Sequence, residues 1–127
     1  MKIGSVLGID LFWTLTYNPG AAWGVFGSFP TVLLLFRILF ILLLFAIIVL
    51  AQISPLSKMV LAAILGGACS NIIDTIMWGH VVDMIHLRLW GWDYPVFNVA
   101  DMGICIGSAA LFVLMVLTSN KESPSKQ

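Results

Sequence analysis

Three long apolar runs dominate the chain, and their lengths predict membrane-spanning helices. A spanning helix needs roughly 20 predominantly apolar residues at a rise of about 1.5 Å each. The stretches from Thr31 to Ala51, from Met59 to Trp78 and from Val99 to Thr118 each meet that requirement. The first is a Leu/Ile/Phe block broken by Arg37. Between the first two runs, Gln52 to Lys58 forms a short polar connection whose Pro55 is expected to stop a helix. After Ser119-Asn120 the tail, Lys121 to Gln127, is polar and reads as disordered.

The first thirty residues carry a different pattern. Phe12 to Tyr17 is rich in β-branched and aromatic residues, as a strand would be, and Asn18-Pro19-Gly20 is a turn signal. Ala21 to Phe29 carries Trp and Phe at what should be interface depth. The apolar stretch here is short, holds Asp10 and lacks a convincing cleavage motif, so it is not a signal peptide. The expected architecture is an all-α membrane bundle forming one domain over residues 1–127, with a small β segment over 1–30 lying against the membrane surface.

Composition strengthens the membrane reading and removes other classes. Hydrophobic residues make up 61% of the chain and charged ones 9%, with a mean hydropathy of +1.06. A soluble domain has about 45–50% apolar and about 25% charged residues. Six Lys and Arg are scattered and balanced by six Asp and Glu, which leaves no basic patch for nucleic acid. Cys69 and Cys105 sit inside apolar runs and read as buried free thiols rather than a disulfide framework. His80 and His86 have no cysteine or carboxylate at a convincing metal-ligand offset, which argues against zinc. By the positive-inside rule, Lys58, Lys121 and Lys126 fall on one side and Lys2 and Arg88 on the other, placing the loop from Gly79 to Asn98 outside. Three spans with the tail inside then leave the N-terminus outside.

Polar groups in membrane segments are expensive, on the order of 2.5–3.5 kcal/mol per charge at a helix centre, so their positions carry information. Arg37 lies about six residues, roughly 9 Å, from the outer end of its span and reads as an interface anchor whose side chain snorkels to the headgroups. Asn71 and Asp74 are three apart, on one helix face near the Trp78 end. Asn98 and Asp101 open the third run, and Asp83 lies in the outer loop between Val81-Val82 and Met84-Ile85. Each has a purely structural reading: Asn98 with Asp101 as a helix cap, Asn71 and Asp74 as interhelical hydrogen-bond partners, Asp83 as a loop carboxylate. Together, three carboxylates and two amides converge on one membrane face, which makes them a candidate acidic site at the outer surface.

These residues resemble the lipoprotein signal peptidases (signal peptidase II). Gly66-Gly67-Ala68-Cys69-Ser70-Asn71-Ile72-Ile73-Asp74 resembles the family's G-G-A-x-x-N-x-x-D box, Val81-Val82-Asp83-Met84-Ile85 its V-V-D-F-I box, and Phe97-Asn98-Val99-Ala100-Asp101 its F-N-x-A-D box. Asn18-Pro19-Gly20-Ala21-Ala22-Trp23 is similar to its N-x-G-A-A-F segment. Each box alone is weak, four in order are specific, and the resemblance covers the chain from Phe12 to Leu117. The resemblance implies a four-helix membrane fold with a small extracytoplasmic β-cradle, in the bacterial cytoplasmic (inner) membrane. It implies an aspartic protease with Asp83 and Asp101 as the catalytic pair, and with Asn18, Asn71, Asp74 and Asn98 shaping the site and holding substrate. The implied substrate is a diacylglyceryl-modified prolipoprotein, cut just before its lipidated cysteine, with no metal or organic cofactor and the enzyme acting as a single copy. The sequence departs from the family in two places. Thr75 stands where an arginine usually follows the Asp74 position, and the chain starts where the family's first transmembrane helix should have ended.

Two carboxylates held close share a proton and titrate as a coupled pair. The ionised one takes a proton from water, and the protonated one hydrogen-bonds the scissile carbonyl. Small residues at Gly66, Gly67, Ala68 and Ser70, and the Gly103-x-x-x-Gly107 spacing, would let the helices approach closely and build a narrow slot. Two other readings stay open on the residues alone. One is a non-enzymatic relative or fragment lacking the first helix. The other is a proton- or cation-conducting bundle using Asp74 and Asp101, against which stand the acids' clustering at one face and the lack of an internal repeat.

Overall fold

The computed structural model describes residues 1–19 and 27–122, and the side chains of these up to 119. Most of the aromatic segment expected at interface depth and the last residues of the tail lie outside that range. The elements follow the order β1 (Lys2–Val6), β2 (Ile9–Asn18), α1 (Pro30–Leu50), α2 (Pro55–Trp78), β3 (Val81–Leu89), β4 (Trp92–Asp93) and α3 (Val99–Glu122). Among the described residues, three helices are long and apolar enough to cross a membrane, over Pro30–Leu50, Pro55–Trp78 and Val99–Ser119.

The fold is mixed rather than all-α. An antiparallel sheet in the order β1-β2-β3-β4 accompanies the helices, and it is not confined to the first thirty residues. Its longest partner to β2 is β3, which occupies the stretch expected as an outer loop. The reason is a two-residue alternation: Val81, Asp83, Leu87 and Leu89 face the cavity described below, while His86 and Arg88 on the opposite face pair with Asp93. On β2 the alternation runs opposite to that of a soluble sheet. Trp13, Leu15 and Tyr17 point outward and Thr14, Thr16 and Asn18 inward, as expected where the outer surroundings are a membrane interface.

Pro55 opens α2 instead of merely ending what precedes it. Ser54 caps the helix by accepting the Ser57 N–H at 3.1 Å, and Pro55 takes the first helical position, where a missing N–H costs nothing. At the other end Gly79, at φ 78°, adopts the left-handed conformation that closes α2 and turns the chain directly into β3.

Helix α2 packs against both α1 and α3 around Leu44, Leu61 and Ile64, with Ile104 and Leu111 of α3 against them. Large side chains such as Leu35, Phe36, Leu42 and Phe45 stay exposed on α1, a surface suited to lipid. Close approach of α2 and α3 depends on two of the expected small residues. A Cβ at Gly67 would lie 2.6 Å from the Ala100 carbonyl oxygen and 2.9 Å from Ile104, and one at Gly107 would lie 2.6 Å from Ile64. At Gly66 nothing lies within 4 Å, and at Gly103 the nearest atom is 3.9 Å away. Gly67→Ala therefore destabilises the protein by about 1–3 kcal/mol, because a backbone carbonyl must move, whereas Gly66→Ala is close to neutral. Thermal unfolding in detergent measures the difference, and equal losses at both positions would contradict this packing.

Candidate functional site

Four segments deliver the site. Near the C-terminal end of α2, Asn71, Asp74 and Thr75 lie within about one turn of one another. The Gly79 reversal places Val82 close enough for its N–H to donate to Asp74 Oδ2 at 3.1 Å, which pins the start of β3. On that strand Asp83 faces inward. Thr16 of β2 stands opposite Asp83, and Asn18, two residues on and opposite Val81, reaches diagonally to donate from Nδ2 to Asp83 Oδ2 at 3.2 Å. The fourth segment returns after β4 alongside β3. Phe97 and Ile85 exchange backbone hydrogen bonds at 2.8 and 2.9 Å, which lays Asn98 beside Asp83 and starts α3 there.

Asn98 is the junction. Its Nδ2 donates to Asp83 Oδ1 at 2.9 Å and to Asn71 Oδ1 at 3.1 Å. It also forms a reciprocal cap with Asp101: the Asp101 N–H donates to Asn98 Oδ1 at 2.9 Å, and the Asn98 N–H donates to Asp101 Oδ2 at 3.2 Å. Asn71 Nδ2 donates to the other Asp101 oxygen at 2.8 Å. The capping reading and the site reading of Asn98 and Asp101 thus describe one arrangement, since the cap fixes the carboxylate that the site presents. Asn71 and Asp74 likewise join neighbouring elements while facing the cluster.

Asp83 is 1% exposed and Asn98 5%, so the network is deep. Burial pushes the Asp83 carboxyl above its ordinary value; the Asp101 and Asp74 charges push the same way, against the hydrogen bonds from Asn18 and Asn98. Asp83 and Asp101 line one cavity of about 570 Å³ together with Asn18 and Asn71. The remaining wall is largely apolar, with Leu87 and Leu89 from β3, Phe97, and Met102 and Ile106 from α3. Two carboxylates flanked by amides in the wall of a largely apolar cavity can activate water beside a bound apolar chain.

Of the six residues singled out in the sequence, Asn18, Asn71, Asp83, Asn98 and Asp101 are joined by hydrogen bonds into this network, and Asp74 adjoins it through the Val82 N–H next to Asp83. Arg37 differs from expectation. Its guanidinium turns inward, donates from Nη1 to Thr75 Oγ1 at 2.9 Å and forms part of the cavity wall, where an outward anchor had been expected. Its position in the midst of an apolar run was the available signal, because an unneeded charge there is costly. Cys69 is half-buried and Cys105 is exposed, with Cys105 lining the cavity, so only part of the expected thiol burial holds.

The chain is similar to known proteins over most of its length. The family described as Signal peptidase (SPase) II matches residues 3–117. The lipoprotein signal peptidase of Coxiella burnetii (strain Dugway 5J108-111) is 37% identical over 117 residues, covering 88% of this chain and 72% of that protein. That of Chromobacterium violaceum is 40% identical over 124 residues, covering 89% and 70%, and that of Moorella thermoacetica is 39% identical over 117 residues, covering 90% and 75%. A bacterial membrane enzyme solved by the in meso method at 2.3 Å resolution superposes with a TM-score of 0.78 at 27% identity, over all of this chain and 77% of that one.

Proposed function

The chain belongs to the signal peptidase II family and is a membrane protease that removes signal peptides from lipoproteins, and we propose that it does so as an aspartic protease with Asp83 and Asp101 as its catalytic pair. The observation that carries this is the Asn98 bridge, whose side-chain Nδ2 holds the Asp83 carboxylate and whose backbone N–H holds that of Asp101, at a shared cavity. Asp83, the more buried and the one whose carboxyl is pushed up, holds the shared proton and donates it to the scissile carbonyl. Asp101, gripped by Asn71 and by the Asn98 backbone, is the ionised partner that takes a proton from the attacking water. One carboxyl must be charged and the other neutral, so kcat/KM is bell-shaped in pH.

Asn18 and Asn98 hold Asp83, Asn71 holds Asp101, and Asp74 fixes the strand that carries Asp83. The substrate is a diacylglyceryl-modified prolipoprotein. Its acyl chains stay in the bilayer, the signal segment lies along the apolar cavity, and the bond before the lipidated cysteine rests against the pair. Sheet and acid cluster lie at the end of α2 opposite Lys58, which supports a site on the extracytoplasmic face of the bacterial cytoplasmic membrane. The enzyme acts as a single copy, and the chemistry uses no metal or organic cofactor.

The test is cleavage of a lipidated precursor by the purified protein, with the cut located by mass spectrometry. The expected cut falls immediately before the modified cysteine, and the same precursor with that cysteine replaced by serine, and hence unlipidated, stays intact. Equal cleavage of both forms would contradict the substrate assignment. No cleavage of either would favour the inactive-relative reading.

A further inference from the structure

Arg37 sits about two turns inside α1, where a charge without a partner is costly, and it faces the cavity that holds Asp83 and Asp101. Its Nη1 donates to Thr75 Oγ1 at 2.9 Å, and the Thr75 hydroxyl donates to the Asn71 carbonyl oxygen at 2.8 Å. The side chain of the same Asn71 holds Asp101. The guanidinium is therefore fastened to the frame that positions one carboxylate, and it lines the same cavity as Asp101 and Asp83. We propose that Arg37, held by Thr75, is a positioning residue that keeps the Asp83–Asp101 pair singly ionised near neutral pH.

The physical case is electrostatic and rests on the reading of these two aspartates as the catalytic pair. A cavity beside lipid disfavours carboxylate charge, so without a cation the pair would keep both protons to higher pH and lack a base. A fixed positive charge in the same cavity favours the state that carries one negative charge. The other ionisable groups around the pair are accounted for among the described residues. Asp74 from α2 acts on Asp83 as a like charge and so cannot serve in place of the arginine. His80 packs on Tyr17, whereas His86 and Arg88 pair with Asp93 on the other face of the sheet. Tyr94 and Cys105 are the remaining titratable side chains of the cavity wall and bring no positive charge. Thr75 stands where the family resemblance places an arginine, so in this chain the cation reaches the same corner from α1.

The experiment is the pH profile of kcat/KM for a lipidated precursor with the purified full chain. Arg37→Gln moves the acidic limb upward by about one pH unit, whereas Arg37→Lys, which keeps the charge, moves it much less. The double variant Arg37→Gln with Thr75→Arg, which returns a guanidinium from α2, recovers at least half of the shift. Thr75→Val keeps the charge but removes one hydrogen-bond partner of the guanidinium, and it shifts the limb in the same direction by a smaller amount; it supplies the answer if Arg37→Gln does not fold. An Arg37→Gln enzyme with both limbs in place, whatever its rate, overturns the proposal, as does an unshifted Thr75→Val enzyme. If Asp83→Asn stays active, it is the assignment of the pair that falls, so the two failures can be told apart.

Discussion

Asp83→Asn and Asp101→Asn each lower kcat/KM for a lipidated precursor by roughly 10²–10⁴-fold while the protein remains folded in the membrane. Asparagine matches aspartate in shape but accepts through one oxygen only, so its NH2 faces a donor and one of the two hydrogen bonds at each carboxyl is lost, a cost that falls on stability and not on the packing of the site. The function lost is the ability to hold or accept a proton. Asp83 cannot then donate to the scissile carbonyl, and Asp101 cannot then take a proton from water. Because the two act as one unit, the double variant should be about as inactive as either single variant instead of showing the product of two losses. Steady-state kinetics on the three variants check this. Activity within a few-fold of wild type in either single variant would remove the pair as the source of catalysis.

Asn98 should give the next largest effect, and it can separate the two things the residue does. Its Oδ1 caps α3 and its Nδ2 bridges Asp83 and Asn71. Asn98→Ala removes both, costing about 1 kcal/mol of stability from the lost cap, and more where buried partners are left unpaired. Asn98→Ser keeps a capping oxygen for the Asp101 N–H, but its short hydroxyl cannot also reach Asp83 and Asn71. The serine variant should unfold within a few degrees of wild type and yet lose on the order of 100-fold in kcat, a loss of the size that a misplaced reacting group produces. Wild-type kinetics in a normally stable Asn98→Ser protein would reduce Asn98 to a helix cap.

The three spans were legible because the membrane imposes one rule, a run of about 20 apolar residues, and the sequence obeys it in three places. Strand β2 was legible from its β-branched and aromatic content, although pairing extends it beyond Phe12–Tyr17 to Ile9–Asn18. Strand β1 was not, because Lys-Ile-Gly-Ser-Val has little strand character of its own and is fixed by pairing with β2. Strand β3 was hidden behind its polar residues. Read two by two, Val81, Asp83, Leu87 and Leu89 form one face, and a carboxylate within an otherwise apolar row marks Asp83 as buried.

The site was legible through its polar residues, since each one near a membrane demands a reason, and the family boxes named six of them. What the chain order could not give was the contact between them. Asn98 lies fifteen residues after Asp83 and twenty-seven after Asn71, and only the return of the Phe97 segment along β3 brings the three together. Arg37 was misjudged for the same reason. Depth in its own helix suggested an anchor, and the partner that turns it inward, Thr75, is thirty-eight residues away on α2.

The most direct test of a shared water between Asp83 and Asp101 is the affinity of a lipidated peptide whose scissile carbonyl is replaced by a tetrahedral, hydroxyl-bearing carbon. Such a mimic of the transition state should bind the wild-type protein at least about 100-fold more tightly than the parent peptide, and that advantage should vanish in both Asp83→Asn and Asp101→Asn. Survival of the full advantage in either variant would mean that the two carboxylates do not act on one reacting centre.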